Sequence, residues 1–461
     1  MDLFGKTIVE LRELLKKGEL SPQELKEYFN DRIKKYDKKL NSFVTLGDST
    51  MEAGKGELTG IPMAVKDNFC TTGLRTTASA KVLDQFIPQY ESTVTRKLKE
   101  EGATFLGKAN MDAWAHGSST ETSDYGPSLN PWDTSRIPGG SSGGSAVAVG
   151  AYLAPVAIGS ETGGSTRLPA AWTGTIGVKP TYGRVSRYGV VAMGSSLDSP
   201  GPIGISVEDT ALILEKIAGH DPYDATSIDA PVDQYSKEMK KKRTFTIGIS
   251  DQYFEDIHPE ILEAMNRTIE VLKKMGHKFK KIELIEPKYS ISVYTIIQRA
   301  EVSSNLSRYH GIRYSNPRGM FGKEAKKRVM LGGYTLSVGY YDAFYKKAQK
   351  VRTLIIEDFK KAYSDVDLII APTTPITALK RGDSEKYPFF GEVMDVLLEP
   401  SSIAGLPALS VPVGLDNIGL PIGMQIIGNS LREVDTFALA YQLEQETDFY
   451  GVIKEGLAKW K

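Results

Sequence analysis

Residues 139–190 carry the strongest indication of the fold, and they are GGSSGGSAVAVGAYLAPVAIGSETGGSTRLPAAWTGTIGVKPTYGRVSRYGV. Two clusters of glycine and serine, at residues 139–145 and 162–165, are joined by apolar segments. These apolar segments predict a helix over Ser145–Leu153 and a strand over Pro155–Gly159. Because flexible linkers have no reason to lie beside buried apolar segments, we interpret both clusters as ordered loops of a folded core.

Loops of this composition are suited to holding an anion. Glycine permits positive φ angles, and successive exposed N–H groups can surround a negative charge. Both phosphate binding and acyl transfer use such loops. A phosphate-binding P-loop requires G-x-x-x-x-G-K-[ST], and no lysine follows either cluster at that spacing. Acyl transfer requires a nucleophile beside an oxyanion hole, and the serines of the clusters favour this chemistry.

A serine nucleophile needs a base. The chain has five histidines, which are His116, His220, His258, His277 and His310. None lies in a recognisable triad motif, so we expect them to be ordinary surface or core side chains. The alternative base is Lys66, which follows the apolar segment Ile61–Val65. A lysine that leaves a buried strand can lose its proton through desolvation, which makes a Ser–Lys arrangement possible.

Composition excludes several classes of protein. The 461 residues include 57 Lys+Arg and 57 Asp+Glu, with 25% charged and 41% hydrophobic residues, as in a folded globular protein. The balanced charge argues against strong independent binding to nucleic acid. The single cysteine, Cys70, excludes an intrachain disulfide and a cysteine-based zinc site, and it fits a reducing compartment. With no secretory signal or membrane span evident, we expect a cytoplasmic protein.

Strands and helices alternate along the chain, which predicts an α/β fold with helices on both faces of the sheet. Further predicted strands lie at Ile61–Val65, Thr104–Gly107, Thr244–Ser250, His277–Leu284, Asp367–Ala371, Ala408–Val413 and Ile422–Ile427. Further predicted helices lie at Thr93–Glu101, Pro259–Met275, Tyr340–Tyr363 and Glu433–Thr447. The alternation continues across a polar surface connection at 221–243, so we predict one domain over 1–461, with helices in 1–45 packed on the core. The basic segment Lys240–Arg243 is interpreted as a solvated face.

Residues 139–190 resemble the signature of the amidase signature family, which is long and highly specific. The resemblance implies the family's large mixed sheet and its Ser–cis-Ser–Lys triad. Matched by motif, Ser165 is the nucleophile, Ser141 the bridging serine that follows a cis peptide bond, and Lys66 the base. The separation of 24 residues between the two serines fits the family pattern. The backbone N–H groups of Thr162, Gly163, Gly164 and Ser165 would form the oxyanion hole.

Beyond the signature, the chain resembles the glutaminase subunits of tRNA-dependent amidotransferases. The matching segments are MDAWAHGSSTETSDYGPSLNPWD (111–133), GHDPYDATS (219–227), AEVSSNLSRYHGIRY (300–314), LGGYTLSVGYYDAFYKKAQKVRTLI (331–355) and AGLPALSVPVGLDNIGLPIGMQIIG (404–428). The resemblance implies that Arg328 binds the α-carboxylate of glutamine, Asp395 its ammonium group, and that Tyr294 lines the pocket; these residue types suit those ligand groups. The chain departs from the family pattern at Glu161, Thr166, Leu168, His116 and His310, and the segment between Tyr314 and Phe321 is short.

The resemblance also implies partners. Ammonia from glutamine would pass to a B subunit that uses ATP and Mg²⁺ to amidate Glu-tRNA(Gln), with Asp-tRNA(Asn) as a further possible substrate. A small C subunit would wrap the interface, and the B subunit would hold most of the misacylated tRNA. The chain itself shows no nucleotide-binding or metal-binding motif, so no cofactor is expected in it. Two alternatives stay open: a free-standing amidase for another small amide, and a non-catalytic protein that keeps the fold.

Overall fold

The structure is a computed structural model that describes residues 1–47, 55–309, 317–447 and 449–461. Within these residues eleven strands form one sheet, in the order β1-β3-β2-β4-β6-β5-β10-β11-β9-β7-β8. The strands are β1 Phe43–Leu46, β2 Pro62–Lys66, β3 Thr104–Ala109, β4 Val156–Glu161, β5 Ile176–Lys179, β6 Ser199–Gly204, β7 Thr246–Ile249, β8 Lys278–Lys281, β9 Leu368–Pro372, β10 Ala408–Leu415 and β11 Pro421–Gly428. The sheet is mixed, since β2 pairs in parallel with β3 and β4 while β10 pairs antiparallel with β5 and β11.

Helices surround this sheet. They are α1 Ile8–Lys16, α2 Pro22–Leu40, α3 Thr93–Glu100, α4 Gly143–Gly150, α5 Arg167–Thr173, α6 Val207–Ile217, α7 Tyr235–Glu238, α8 Pro259–Lys274, α9 Lys288–Ser307, α10 Lys323–Thr335, α11 Lys347–Ala362, α12 Phe390–Met394, α13 Glu399–Ile403, α14 Glu433–Glu446 and α15 Phe449–Ala458. Every residue of β2, β4 and β11 is buried. Because successive side chains of a strand point to opposite faces, complete burial means that both faces are covered, as predicted.

Helix α2 shows how the N-terminal segment joins the core. Ser21 caps the helix, accepting the amide of Glu24 at 3.2 Å, while the Glu24 side chain accepts the Ser21 amide at 2.8 Å. This reciprocal pair is a capping box, and Pro22 occupies the first turn, as the Ser-Pro pair predicts. Leu25 and Phe29 are fully buried in the main core.

A second anchor of α2 is Arg32, which is buried at the other end of its inner face. Its guanidinium donates to the carbonyls of Tyr152 at 2.7 Å, Ala151 at 3.0 Å and Trp460 at 2.8 Å. The segment that follows α4 is thereby tied to the region after α15 through one side chain.

Most predicted elements are confirmed, with shifts of a few residues at their ends. The predicted helix Ser145–Leu153 begins two residues earlier and ends at Gly150. The predicted helix Tyr340–Tyr363 begins as a π-helical segment at Asp342–Lys346 and continues as α11. The interpretation of residues 1–45 as helical is wrong at Phe43, where β1 pairs with β3. The last predicted helix is followed by α15, which is not predicted from the sequence.

The connection at 221–243 is largely irregular and exposed, apart from α7. Its basic segment makes ion pairs on the surface, where Lys240 contacts Glu208 and Arg243 contacts Asp435, both at 2.6 Å. Among the residues that the structure describes, no helix is both long enough and apolar enough to cross a membrane. Cys70 is buried, with Sγ 3.6 Å from the hydroxyl of Tyr90.

Candidate active site

Lys66 is the last residue of β2 and is completely buried. Its Nζ donates hydrogen bonds to Oγ of Ser141 and Oγ of Ser142, both at 2.8 Å, and to the carbonyl oxygen of Ser160 at 2.9 Å. Burial lowers the pKa of this amine from 10.5 to about 7, although nearby carboxylates oppose the shift. Lys66 therefore reaches its neutral, proton-accepting form close to neutral pH.

Ser141 lies in a loop that is packed too closely to admit side chains at its glycines. The Gly140–Ser141 peptide bond is cis, as the family resemblance implies. A Cβ atom at Gly140 would collide with the Asp112 carboxylate, and one at Gly143 would collide with the Thr120 hydroxyl. Asp112 in turn accepts the Thr120 amide at 2.9 Å. Glycine is required in this loop because the backbone packs closely against Asp112 and Thr120, and not because the loop is flexible.

Ser165 lies in the turn between β4 and α5. Its carbonyl oxygen accepts the amide of Ser142 at 3.0 Å, which joins the two glycine–serine loops. Its hydroxyl makes no hydrogen bond with another described residue. The backbone amides of Thr162, Gly163, Gly164 and Ser165 also donate to no residue in the described part of the chain. Four free N–H groups beside a serine hydroxyl are the donors that a tetrahedral oxyanion requires.

A buried ion pair holds the ends of this turn together. Glu161 ends β4 and Arg167 begins α5, and the Arg167 Nε atom lies 2.9 Å from Oε1 of Glu161. The other carboxylate oxygen of Glu161 accepts the amides of Thr166 at 3.2 Å and Arg167 at 3.1 Å. Arg167 also donates to Oε1 of Gln425 in β11 at 2.7 Å. Two departures from the family pattern are explained here: Glu161 completes this network, and Leu168 is buried in an apolar cluster.

Two of the three predicted substrate-binding residues, Tyr294 and Asp395, lie against the turn formed by residues 162–165. A Cβ atom at Gly163 would lie 3.0 Å from the ring of Tyr294 on α9, and one at Gly164 would collide with Oδ1 of Asp395. Arg328 is buried on α10, and its charge acts on Tyr294. Asp395 and Tyr294 therefore lie against the backbone of the 162–165 turn, and the charge of Arg328 acts on Tyr294.

Asp395 is buried, and only one of its two carboxylate oxygens has a hydrogen-bond partner among the described residues. Its Oδ2 atom accepts the hydroxyl of Ser118 at 2.8 Å, whereas Oδ1 has no hydrogen-bond partner among the described residues. Burial raises the pKa of Asp395 from 3.8 to about 8. A ligand ammonium group would both satisfy Oδ1 and stabilise the ionised carboxylate. Ser118 is not predicted from the sequence as a site residue, although it lies within a segment that carries the resemblance.

Arg328 has one protein partner and a free end. Its Nε atom donates to Oε1 of Glu324 at 2.7 Å, and its terminal nitrogens donate to no described residue. His116 is buried nearby, and both of its ring nitrogens lack partners within the described structure. Burial, assisted by the charge of Arg328, holds the pKa of His116 well below its ordinary value, so its imidazole is neutral. The predicted departure at His310 lies outside the described residues.

Glu399 is a site residue that sequence reasoning missed. It begins α13, is completely buried, and neither carboxylate oxygen has a partner among the described residues. Its amide donates to the carbonyl oxygen of Asp395 at 2.9 Å. Burial raises the pKa of Glu399 well above its ordinary value, and the charges of Asp395 and Glu392 act in the same direction. No local signal distinguishes Glu399 from a surface glutamate, because its burial arises from the packing of α13 against α9.

Comparison with known proteins defines the class. The sequence profile of the family described as Amidase matches residues 24–437. The chain therefore belongs to the amidase family.

Individual relatives share most of their length with this chain. It is 47% identical to the A subunit of glutamyl-tRNA(Gln) amidotransferase from Halothermothrix orenii, over 96% of this chain and 98% of the relative. It is 46% identical to the protein of the same name from Gloeothece citriformis, with the same two coverages. A 1.80 Å crystal structure of the A subunit of glutamyl-tRNA(Gln) amidotransferase from Thermotoga maritima superimposes with a TM-score of 0.86 at 39% identity, covering 96% of each chain.

Proposed function

We propose that this chain is the glutaminase subunit of a tRNA-dependent amidotransferase and hydrolyses glutamine to supply ammonia to a partner subunit. The observation that carries the proposal is the position of Asp395, whose Oδ1 lies against the Gly164 backbone beside Ser165 and has no hydrogen-bond partner in the described part of the chain. A neutral amide has no positive charge to pair with a buried carboxylate at this position, whereas the ammonium group of an amino acid does. The full-length similarity to the A subunits of amidotransferases supports the same substrate.

The triad geometry supports a proton relay during acylation. Neutral Lys66 accepts the proton of Ser141, to whose Oγ it is hydrogen-bonded at 2.8 Å, and Ser141 accepts the proton of Ser165. The Ser165 oxygen forms a bond to the side-chain amide carbon of glutamine. The developing oxyanion accepts hydrogen bonds from the amides of the 162–165 turn; losing one such donor typically costs about 3–4 kcal/mol of transition-state stabilisation.

The same relay, reversed, completes the reaction. The proton held by Lys66 returns through Ser141 to the departing nitrogen, the carbon–nitrogen bond breaks, and ammonia leaves a glutamyl ester on Ser165. Water then attacks this ester, giving up one proton to the relay, and glutamate leaves as the Ser165 hydroxyl regains its proton. Arg328 and Asp395 hold the substrate at its charged end throughout.

The proposal includes partners. The ammonia would be consumed by a B subunit that activates the misacylated tRNA with ATP and Mg²⁺, and a C subunit would wrap the interface of the two. The balanced charge of this chain supports an arrangement in which the partner holds the tRNA. A complex of this kind, with one buried cysteine in this chain, fits the reducing cytoplasm.

The experiment is a measurement of ammonia released from L-glutamine by the chain alone and with its B and C partners and charged tRNA. We expect turnover to rise sharply in the complex and to vanish in Ser165→Ala. Arg328→Met and Asp395→Asn should abolish glutamine turnover but spare hydrolysis of a neutral amide such as butyramide. Strong butyramide hydrolysis by a lone chain that ignores glutamine would instead identify a free-standing amidase.

A further inference from the structure

An exposed apolar surface follows the buried part of α10. Eight large apolar side chains between Met330 and Phe344 are exposed: Met330, Leu331, Tyr334, Leu336, Val338, Tyr340, Tyr341 and Phe344. Val338 is fully accessible, and Met330 is 74% exposed. We call these eight side chains the aromatic patch. Single exposed apolar residues are common on protein surfaces, but a contiguous set of this size indicates a binding surface.

Contacts between three rings join the two parts of the patch. Tyr334 and Tyr340 have ring centroids 4.2 Å apart, and the rings of Tyr340 and Phe344 lie 5.9 Å apart. Tyr334 comes from α10, whereas Tyr340 and Phe344 come from the segment that leads into α11. The ring contacts therefore join α10 and the segment before α11 in one surface. No other described part of the chain covers these rings.

We infer that the aromatic patch is the docking surface for the ammonia-accepting partner of the proposed amidotransferase, a protein whose contact face is apolar with an acidic rim. Six exposed lysines flank the patch: Lys323, Lys326, Lys327, Lys346, Lys347 and Lys350. Only two of them make ion pairs with described residues, Lys327 with Glu324 at 3.9 Å and Lys346 with Asp342 at 3.1 Å. The chain as a whole has zero net charge, so the positive charge around the patch is a local excess. It favours a partner protein whose contact surface is acidic.

The six lysines around the patch also argue against a second copy of this chain as the partner. A symmetric pair would place the same patch on both sides of the contact, so the lysine rims would face each other. Juxtaposed like charges oppose such a contact. Aliphatic side chains such as Met330 and Val338, and rings that already pack on one another, favour a protein over nucleic acid bases, whose stacking needs open ring faces.

Helix α10 connects this surface with the substrate pocket. Its inner face buries Ala325, Arg328 and Gly332, while its outer face presents Met330 and Tyr334. A partner seated on the outer face would therefore rest on the helix that positions Arg328. This inference depends on the proposed function, because it assigns the partner to the site that produces ammonia.

The test measures binding of the chain to purified B and C subunits by sedimentation velocity and biolayer interferometry. Val338→Glu and Tyr341→Glu each place a carboxylate in the patch, and Ile418→Glu is the matched control at an exposed apolar residue elsewhere. We expect each patch variant to weaken binding about 30-fold or more, the scale of a central interface residue, and the control to bind as wild type. Lys326→Glu with Lys350→Glu should weaken binding at low salt more than at high salt. Circular dichroism and hydrolysis of butyramide check that each variant is folded.

Several outcomes would overturn the inference. If the patch variants bind the B and C subunits as tightly as wild type does, the docking surface lies elsewhere while the glutaminase assignment stands. If wild type binds neither subunit, the proposed function fails and the docking surface fails with it. A dimer of the lone chain that dissociates in the patch variants would identify a second copy as the occupant, and binding of tRNA by the lone chain that these variants abolish would identify RNA.

Discussion

At the scale of single residues, the chemistry depends on the protonation of Lys66. With a pKa of about 7, the amine is largely charged below pH 6 and largely neutral above pH 8. Only the neutral form can accept the Ser141 proton, so kcat at saturating glutamine, with Asp395 paired to the substrate ammonium group, should rise about tenfold per pH unit below 7 and level off above it. A pH profile from 5.5 to 9 measures this dependence.

The control for this profile is Lys66→Met, which should be inactive at every pH because no other base among the described residues is hydrogen-bonded to the Ser141 hydroxyl. A wild-type profile that stays flat between pH 5.5 and 8 would show that proton acceptance by Lys66 does not limit the reaction.

A second prediction at this scale concerns Glu399 and stability. Burial raises the pKa of Glu399 in the folded protein above its unfolded-state value near 4.5. Protonated Glu399 therefore contributes to the free energy of unfolding in full below pH 4.5. This contribution is lost as the pH rises through the folded-state pKa. Each pH unit in that window costs about 1.4 kcal/mol. Glu399→Gln should therefore be more stable than wild type at pH 8, with little difference at pH 4.5.

Urea unfolding at the two pH values measures this difference. The same experiment on Glu392→Gln serves as comparison, because Glu392 already pairs with Arg299 at 2.7 Å and should not gain stability at pH 8. An equal effect of Glu399→Gln at both pH values would show that Glu399 is ionised in the folded protein.

At the scale of elements, two adjacent glycines on α10 make a matched pair. A Cβ atom at Gly332 would collide with the carbonyl of Arg299 on α9, whereas nothing lies within 4 Å of one at Gly333. Gly332→Ala should separate the two helices, cost about 1–3 kcal/mol, and raise KM for glutamine because α10 carries Arg328. Gly333→Ala should stabilise the protein by up to about 1 kcal/mol and leave KM unchanged. Equal stability of the two variants would contradict the packing of α9 against α10.

Elements also show how far sequence reasoning reaches. Strands such as β4 and β11 are predictable because each is a short apolar segment bounded by turn residues. Helix α10 is not, because the outer face of its C-terminal half is apolar, at Met330, Leu331 and Tyr334, and this hides the alternation that marks a surface helix. The family resemblance implies Lys66, Ser141 and Ser165 through local motifs, and the structure brings Lys66 and Ser141 into contact, with Ser165 in the adjoining loop. The place of Glu399 in the site could not be predicted from the sequence, because it arises only from the packing of α13 against α9.

At the scale of the whole molecule, Arg32 connects distant parts of the chain. Its three hydrogen bonds join α2 to the carbonyls of Ala151, Tyr152 and Trp460. Arg32→Met would remove these three hydrogen bonds from the interior, which should lower the free energy of unfolding by at least about 2 kcal/mol. Thermal unfolding measures the loss, and Lys34→Met on the exposed side of the same helix should change it by less than about 0.5 kcal/mol.

The single cysteine gives the whole molecule a practical property. Cys70 is buried and burial raises the pKa of its thiol, so it should react slowly with maleimides. A cysteine introduced at Tyr341 would then be the only fast-reacting thiol in an otherwise unaltered chain. A fluorophore attached there would report, by its emission and its rotational freedom, when another surface comes to rest on α10.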